Sequence, residues 1–506
     1  MILRIEGRIN RYYVQTLCMV YFPGATFSES EQPGPDVPEV AVSLFEEEEG
    51  MRATASIRIG DKLAKAEGYC ECRADKSADR VGKIAVGRAV LAAGEEFFSY
   101  TPPWGILTGV RPAKVATELI RTGNGIRNSR AILRDEYFLN PRKAALAVSV
   151  ASTEMKLTNR LQDNLCSVYI SIPFCPSRCA YCSFVSYTSG KLLSLIDEYL
   201  EALYRDIDSL FSMIRELGMK VATVYVGGGT PTVLSPDQMA RLLYRIGNHV
   251  DPATLMEFTV EAGRPDTITA EKLAVIQKGG VGRISVNPQT LSDDVLRSIG
   301  RHHTVEDFYR AFALARESGI PNLNVDLIAG LPDDTFRIFS DTFDKIIALA
   351  PENITVHTFS VKRSAALRQK DGIYALGSQD AAKSVDYSQI QAKMAGYRPY
   401  YMYRQKNTVG NLENVGFAFP GTEGLYNVFM MEELHSIFAA GAGAVTKLVK
   451  HRTPEAGGSL IERIFMPKYP YEYLRDIDKL LLGDSAAGVP SQRERALAFF
   501  KEDRND

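Results

Sequence analysis

The chain has 506 residues, 45% of them hydrophobic, and a formal net charge of −2. This length suggests roughly two to four domains, and the near-neutral balance points to neither a nucleic-acid partner nor an anionic membrane surface. No apolar run approaches the ~18 residues needed to cross a bilayer, so no stable membrane insertion is expected.

The N-terminal stretch MILRIEGRINRYYVQTLCMVYF mixes basic and apolar residues. It lacks the continuous apolar core and small-residue cleavage site of a secretory signal, so a cytoplasmic location is expected. Strand-like pieces at 11–22, 39–45 and 51–59 precede a Gly/Pro-punctuated stretch, TPPWGILTGVRPAKVATELIRTG, which holds the only tryptophan, Trp104. Residues 1–160 therefore read as an α+β accessory domain with helices towards its end.

From about 168 to 360 strand-like and helix-like segments alternate. VYISI is followed by a long amphipathic helix within LLSLIDEYLEALYRDIDSLFSMIREL. VATVYVGGG comes next, then a helix for which Ser235 is a suitable N-cap. LMEFTVEAG, GRISVN, NLNVDLIAGLP and NITVHTFSV supply four more strands, each separated from the next by helical periodicity. These make six βα-type units at roughly 30-residue spacing, a core over 161–370. Continuous apolar strands between helices imply a parallel sheet covered on both faces, as a doubly wound sheet or a barrel. Residues 371–506 read as a smaller C-terminal domain, with tyrosine-rich GYRPYYMYRQKN, then GAGAVTKLV, and a last helix ending in a charged tail.

The chemistry concentrates where strands end, which is where function collects in such folds. Cys175, Cys179 and Cys182 follow the first core strand with C-x3-C-x2-C spacing. Three thiolates in one loop can hold three irons of a 4Fe–4S cluster and leave the fourth iron for a small molecule. The competing reading is zinc with a remote fourth ligand, the nearest histidine in sequence being His249. The seven cysteines are an odd number in a large chain without an export signal, against a disulfide framework. Cys18, Cys70, Cys72 and Cys166 read as inert thiols, and Cys166 lies at the far end of its strand from Cys175. Gly227-Gly228-Gly229-Thr230 ends the second core strand and suggests either a cradle for a charged ligand group or a tight turn. Glu261, Asn287, Gln289 and Asp326 lie at or just beyond later strand ends. Arg301 could clamp a carboxylate, whereas His302 and His303 read as surface or packing residues.

Taken together, YISIPFCPSRCAYCSF, VGGGTPT, EAGRPDTI, RISVNPQTLSDDVLRSIGRHHT and NVDLIAGLP resemble the radical S-adenosylmethionine (SAM) enzymes. Within these they resemble the HemN-like family of oxygen-independent coproporphyrinogen III oxidases (coproporphyrinogen dehydrogenases) and their relatives. PPWGILTGVRP, YRQKNTVGNLENVGF and GAGAVTKL further resemble the HemZ-type subgroup. The resemblance implies an α/β fold, a partial (β/α)6 radical SAM barrel with accessory N- and C-terminal domains. It implies a 4Fe–4S cluster on Cys175, Cys179 and Cys182, with SAM bound at the open iron. Reductive cleavage of SAM would give a 5′-deoxyadenosyl radical that oxidatively decarboxylates coproporphyrinogen III propionates to vinyl groups. Matched residue by residue, Tyr169, Gly228, Gly229, Thr230, Glu261, Gln289, Arg301, Asp326 and Ser360 would contact SAM, one molecule or two. Tyr181 could pack on the cluster or on adenine. Tyr169, Ser171 and Arg301 are the expected catalytic set, Ser171 standing where the family has a histidine.

Asn287-Pro288 replaces a glycine-valine pair, and GLYNVFMMEE lacks the His and Trp of the family's haem chaperones. The implied partners are a tetrapyrrole substrate and an electron donor such as flavodoxin or ferredoxin, acting on a monomer. Arg178, Arg264, Lys362 and Arg363 are candidates for the substrate's carboxylates. The alternatives are a haem-binding chaperone-like protein and a radical SAM enzyme acting on another tetrapyrrole such as haem.

Overall fold

Six parallel strands line up side by side in chain order, and the rest of the larger of two units is arranged round them. The computed structural model describes residues 1–28, 36–73, 76–159, 161–162, 164–182, 186–360, 378–405, 408–451, 459–483 and 488–501. One unit comprises Met1–Thr153 with Met402–Glu413; the other comprises Glu154–Tyr401 with Asn414–Asp506.

In the first unit, β1 (Ile2–Glu6), β2 (Glu39–Glu47), β3 (Gly50–Ile59) and β4 (Lys62–Glu71) form a sheet in that order. β1 and β2 are parallel, and the helix Arg11–Tyr21 lies between them in sequence. That helix corrects the strand expected at 11–22. The β-favouring run Tyr12-Tyr13-Val14 is overridden by helical spacing of the buried Val14, Leu17 and Cys18. Asn10 caps it, its side chain accepting from the Tyr13 N–H at 3.0 Å. The helix Ala78–Phe98 covers the sheet with a nearly continuous small and apolar face, and helices Pro112–Leu119, Gly125–Asp135 and Pro141–Thr158 follow. Trp104 is fully buried and its Nε1 donates to Glu413 Oε2 at 2.7 Å. Lys143 Nζ donates to the other oxygen of the same carboxylate, also at 2.7 Å.

The core of the second unit is β5 (Leu165–Ile172), β6 (Lys220–Gly228), β7 (Glu257–Glu261), β8 (Arg283–Ser285), β9 (Asn322–Ala329) and β10 (Asn353–Thr358), all parallel. The same sheet gains β11 (Arg398–Arg404) and β12 (Glu413–Ala418) beyond β10. Beyond β5 it gains β13 (Ile437–Ala440), β14 (Val445–Lys450) and β15 (Leu460–Phe465). β11 and β15 are its two edges, so the sheet is an open arc and not a closed barrel. Ser235 caps the helix Pro236–Gly247 in a reciprocal capping box with Gln238. No described helix is long and apolar enough to cross a membrane.

The core strands are not continuously apolar, as their composition had suggested. They alternate with period two. Val168, Ile170, Val224, Val226, Phe258, Val260, Ile284, Val325 and Val356 occupy one face and are buried. Ser167, Thr223, Glu257, Arg283 and Asn353 lie on the other, polar face. Leu425 N donates to Glu257 at 2.8 Å, and Asn353 Nδ2 to the Thr422 carbonyl at 2.8 Å. Arg283 bonds Asn353 and the carbonyls of Thr422 and Glu423. Residues 422–426 thus floor this polar face at the N-terminal ends of the strands. Functional side chains are left to the opposite, C-terminal ends.

Candidate functional site

The cysteine loop is built onto the end of β6. Gly229 N–H donates to the Ile172 carbonyl and Thr230 N–H to the Phe174 carbonyl, each at 2.8 Å. A Cβ on Gly229 would lie 2.4 Å from the Phe174 carbonyl oxygen, so the strand end meets the loop closely only because this residue is glycine. These N–H groups are therefore spent on docking the loop rather than offered to a ligand. Thr230 Oγ1 lies 3.1 Å from Cys175 Sγ.

Further along, the Ala180 N–H donates to the Ile299 carbonyl at 2.9 Å and the Cys175 N–H to the Tyr187 carbonyl at 3.1 Å. Cys175 and Cys179 are buried, Cys182 is partly exposed, and none of the three is in a disulfide. Burial above all pushes the Cys175 thiol up to about 11, and the neighbouring Cys182 and Cys179 push the same way against the Thr230 hydrogen bond and Arg264. A trio of thiolates here needs cationic compensation. Among the described residues no three His, Cys, Asp or Glu side chains form a ready single-ion site. His249, the candidate remote zinc ligand, is held by Asp208 at 2.7 Å and stacks on Phe211. Cys166 is fully buried at the opposite end of β5.

Two buried guanidiniums stand behind the loop. Arg264 is fixed by Asp266, with Nε and Nη2 donating to its two oxygens at 3.0 and 2.9 Å. Its Nη1 reaches Ser177 Oγ at 2.8 Å and Cys179 Sγ at 3.9 Å. Arg301 donates to the carbonyls of Asn287 (2.8 Å) and Gly263 (3.3 Å) and to the Tyr181 hydroxyl (3.2 Å). It braces the loop through Tyr181, and no carboxylate is hydrogen-bonded to it among the described residues. Of the substrate-facing candidates, Arg264 is committed inside the protein, Arg178 is exposed, and Lys362 and Arg363 lie outside the described residues. His302 is exposed, whereas His303 is buried with neither ring nitrogen hydrogen-bonded, and burial lowers it to about 4.

On the polar face, Tyr169, Tyr225 and Tyr426 stack, with Tyr225 and Tyr426 centroids 4.6 Å apart. The Tyr225 hydroxyl donates to Glu261 at 2.6 Å. Burial, with a further push from Asp326, nonetheless raises the Glu261 carboxyl to about 7. A cationic or hydroxyl-bearing ligand brought to it would meet a proton acceptor poised near neutrality. Asp326 accepts from Asn287 Nδ2 at 2.9 Å and from Asn324 Nδ2 at 2.7 Å. Burial pushes it up, but His357, 3.7 Å away, and hydrogen bonds from Asn324 and Thr355 hold it below the usual carboxylate range. Gln289 has φ +71° and is buried, and its side-chain oxygen has no partner. An orphan acceptor at a strand end is what a ligand's donor would satisfy. Ser360 is buried just after β10.

Ser171 is not a free group in the mouth. Its hydroxyl donates to the Ala442 carbonyl at 2.8 Å, and its own carbonyl accepts from Tyr199 at 2.8 Å. Gly441, at φ +99°, gives its N–H to Asp206, which also accepts from Tyr473. The GAGAV turn therefore ties the start of the cysteine loop to the C-terminal segment. Sequence reasoning missed Tyr225, Tyr426 and His357. The signal was available for Tyr225 and His357, which occupy the same alternation as Glu261 and Asp326. Tyr426 carries no local signal.

Residues 169–346 match the Radical SAM superfamily. The chain is 34% identical over 482 residues to the oxygen-independent coproporphyrinogen-III oxidase-like protein HemZ of Bacillus subtilis, covering 93% of this chain and 94% of that protein. It is 31% identical over 341 residues to the haem chaperone HemW of the same organism, covering 65% of this chain and 85% of the relative. The solved coproporphyrinogen III oxidase HemN of Escherichia coli, a radical SAM enzyme, is similar in fold with a TM-score of 0.50 and 22% identity, covering 65% of this chain and 72% of that one.

Proposed function

Because the chain belongs to the radical SAM family of HemN- and HemZ-like proteins, we propose that it decarboxylates coproporphyrinogen III propionates to vinyl groups without oxygen, giving protoporphyrinogen IX. The observation that carries this reading is the docking of a three-thiol loop on the glycine end of β6, with Glu261 ending the neighbouring strand and the orphan oxygen of Gln289 lying beyond β8. Cys175, Cys179 and Cys182 would hold a 4Fe–4S cluster, and two buried guanidiniums with a single bonded carboxylate suit an anionic group in that place. Cluster and SAM, when bound, supply a 5′-deoxyadenosyl radical as the hydrogen-abstracting species.

The chain's own residues bind, orient and shield. Glu261 is placed to accept from the ligand's amine or ribose, and Gln289 from a second donor. Asp326, held ionised, offers a fixed negative charge deeper on the polar face. The stacked tyrosines Tyr169, Tyr225 and Tyr426 wall that face with aromatic surface and limit water. Arg301 and Tyr181 position the loop from behind. Arg178, exposed on the loop, is the described cation available to a substrate carboxylate.

The test is anaerobic reconstitution followed by addition of SAM, a reductant and coproporphyrinogen III. Protoporphyrinogen IX and CO2 are expected. SAM cleavage that leaves the substrate unchanged overturns the reading. A second reading, a haem-binding chaperone, is favoured by the similarity to HemW. Its signature would be stoichiometric haem binding without turnover.

A further inference from the structure

We propose that Arg264 is a positioning residue that sets the reduction potential of a cluster held by Cys175, Cys179 and Cys182; this rests on reading those cysteines as cluster ligands. Arg264 lies three residues beyond the end of β7 and is 3% exposed. Its fork is satisfied on one side by both oxygens of Asp266. On the other side, Nη1 grips the loop at Ser177 through both the hydroxyl and the carbonyl, at 2.8 and 3.1 Å. The same nitrogen is 3.9 Å from Cys179 Sγ, so a full positive charge is held against one ligand sulfur.

Only a guanidinium can make this set of contacts at once. A lysine ammonium could reach either the carboxylate or the loop but cannot fork between them. Arg264 and Arg301 are both buried, and Asp266 is the one carboxylate hydrogen-bonded to either among the described residues. The surroundings of the loop therefore carry a surplus of positive charge, which is costly when buried alone. Thiolate ligands supply the opposite charge. One-electron reduction adds a further negative charge to the cluster, and hydrogen bonds and net charge at the sulfurs set how readily that electron is accepted. A fixed cation beside Cys179 makes reduction easier. Asp266, with its side chain 28% exposed, partly masks that cation. The two residues therefore work with opposite sign.

The full-length wild type, Arg264→Lys, Arg264→Gln and Asp266→Asn are reconstituted anaerobically with iron and sulfide, without SAM. Iron per chain is measured, and the midpoint potential is read by dithionite titration with electron paramagnetic resonance. The inference expects a more negative potential in Arg264→Gln, a smaller negative shift in Arg264→Lys and a positive shift in Asp266→Asn. An unchanged potential in Arg264→Gln with full iron overturns it, as does a negative shift in Asp266→Asn. Should Arg264→Gln lose its iron, the signs in Arg264→Lys and Asp266→Asn decide. A wild type that takes up no iron overturns the cluster reading itself, and this inference with it.

Discussion

Asp334 follows β9 with both carboxylate oxygens buried and without a hydrogen bond, and burial alone lifts its carboxyl from 3.8 to about 7. A raised folded-state value means that its contribution is most favourable when protonated and is lost as pH rises towards 7. Replacing it with Asn removes the cost of ionisation. The variant is expected to be more stable than the parent at pH 8 by roughly 2–4 kcal/mol, with the gain vanishing near pH 4. Thermal or denaturant unfolding at the two pH values checks this; an equal effect at both would contradict it. At this scale the sequence was legible as far as position: the three cysteines fall in one loop after β5, and Glu261 and Asp326 lie on the polar face of β7 and β9. It was not legible where a side chain's partner decides its role. Ser171 stands four residues before Cys175, yet its hydroxyl goes to Ala442, which lies far along the chain. Arg264 looked like a carboxylate clamp for substrate until Asp266 and Ser177 were seen to claim it.

The strands show the same division one level up. The number and direction of the six core strands followed from alternating βα periodicity, because parallel strands joined by helices leave a repeating signal; their order did not, since a doubly wound sheet and a barrel share that alternation. Their polar face did not, although the period-two pattern is present in TVYVG, EFTVE and NVDL: an apolar residue at every second place gives each strand an apolar composition that masks the alternation. The helix Arg11–Tyr21 was missed because aromatic and β-branched residues favour strands only weakly against a helical burial pattern. The segment Met402–Glu413 belongs with the N-terminal unit, which no local pattern reports. Its anchor is Glu413, fully buried against Lys143 and Trp104, whose charge and hydrogen bonds overcome burial and hold it below the usual carboxylate range. Glu413→Gln removes the buried negative charge that Lys143 and Trp104 bond and is expected to cost about 3–5 kcal/mol in chemical denaturation. A depressed folded value places this contribution above the ordinary carboxylate range, about pH 4.3, and it fades as pH falls below that. A loss under 1 kcal/mol would contradict the buried-pair account.

Across the whole molecule, the convergence of motifs at one end of the sheet was readable because successive parallel strands deliver their C-terminal ends to the same side. The C-terminal segment was less so. It does not simply follow the core but adds strands at both edges of the same sheet, floors the polar face at Glu257 and ties down Ser171 at the mouth. Long-range pairing of this kind has no signature in local periodicity. The proposed activity requires that the loop of Cys175, Cys179 and Cys182 assemble a cluster at which SAM is reductively cleaved. The most direct measurement is the yield of 5′-deoxyadenosine from anaerobically reconstituted protein given SAM and dithionite, comparing wild type with Cys179→Ala. Formation in the wild type and its abolition in Cys179→Ala, together with loss of the brown cluster absorbance, is the predicted result. Equal yields from the two proteins, or full iron occupancy retained in Cys179→Ala, would contradict it.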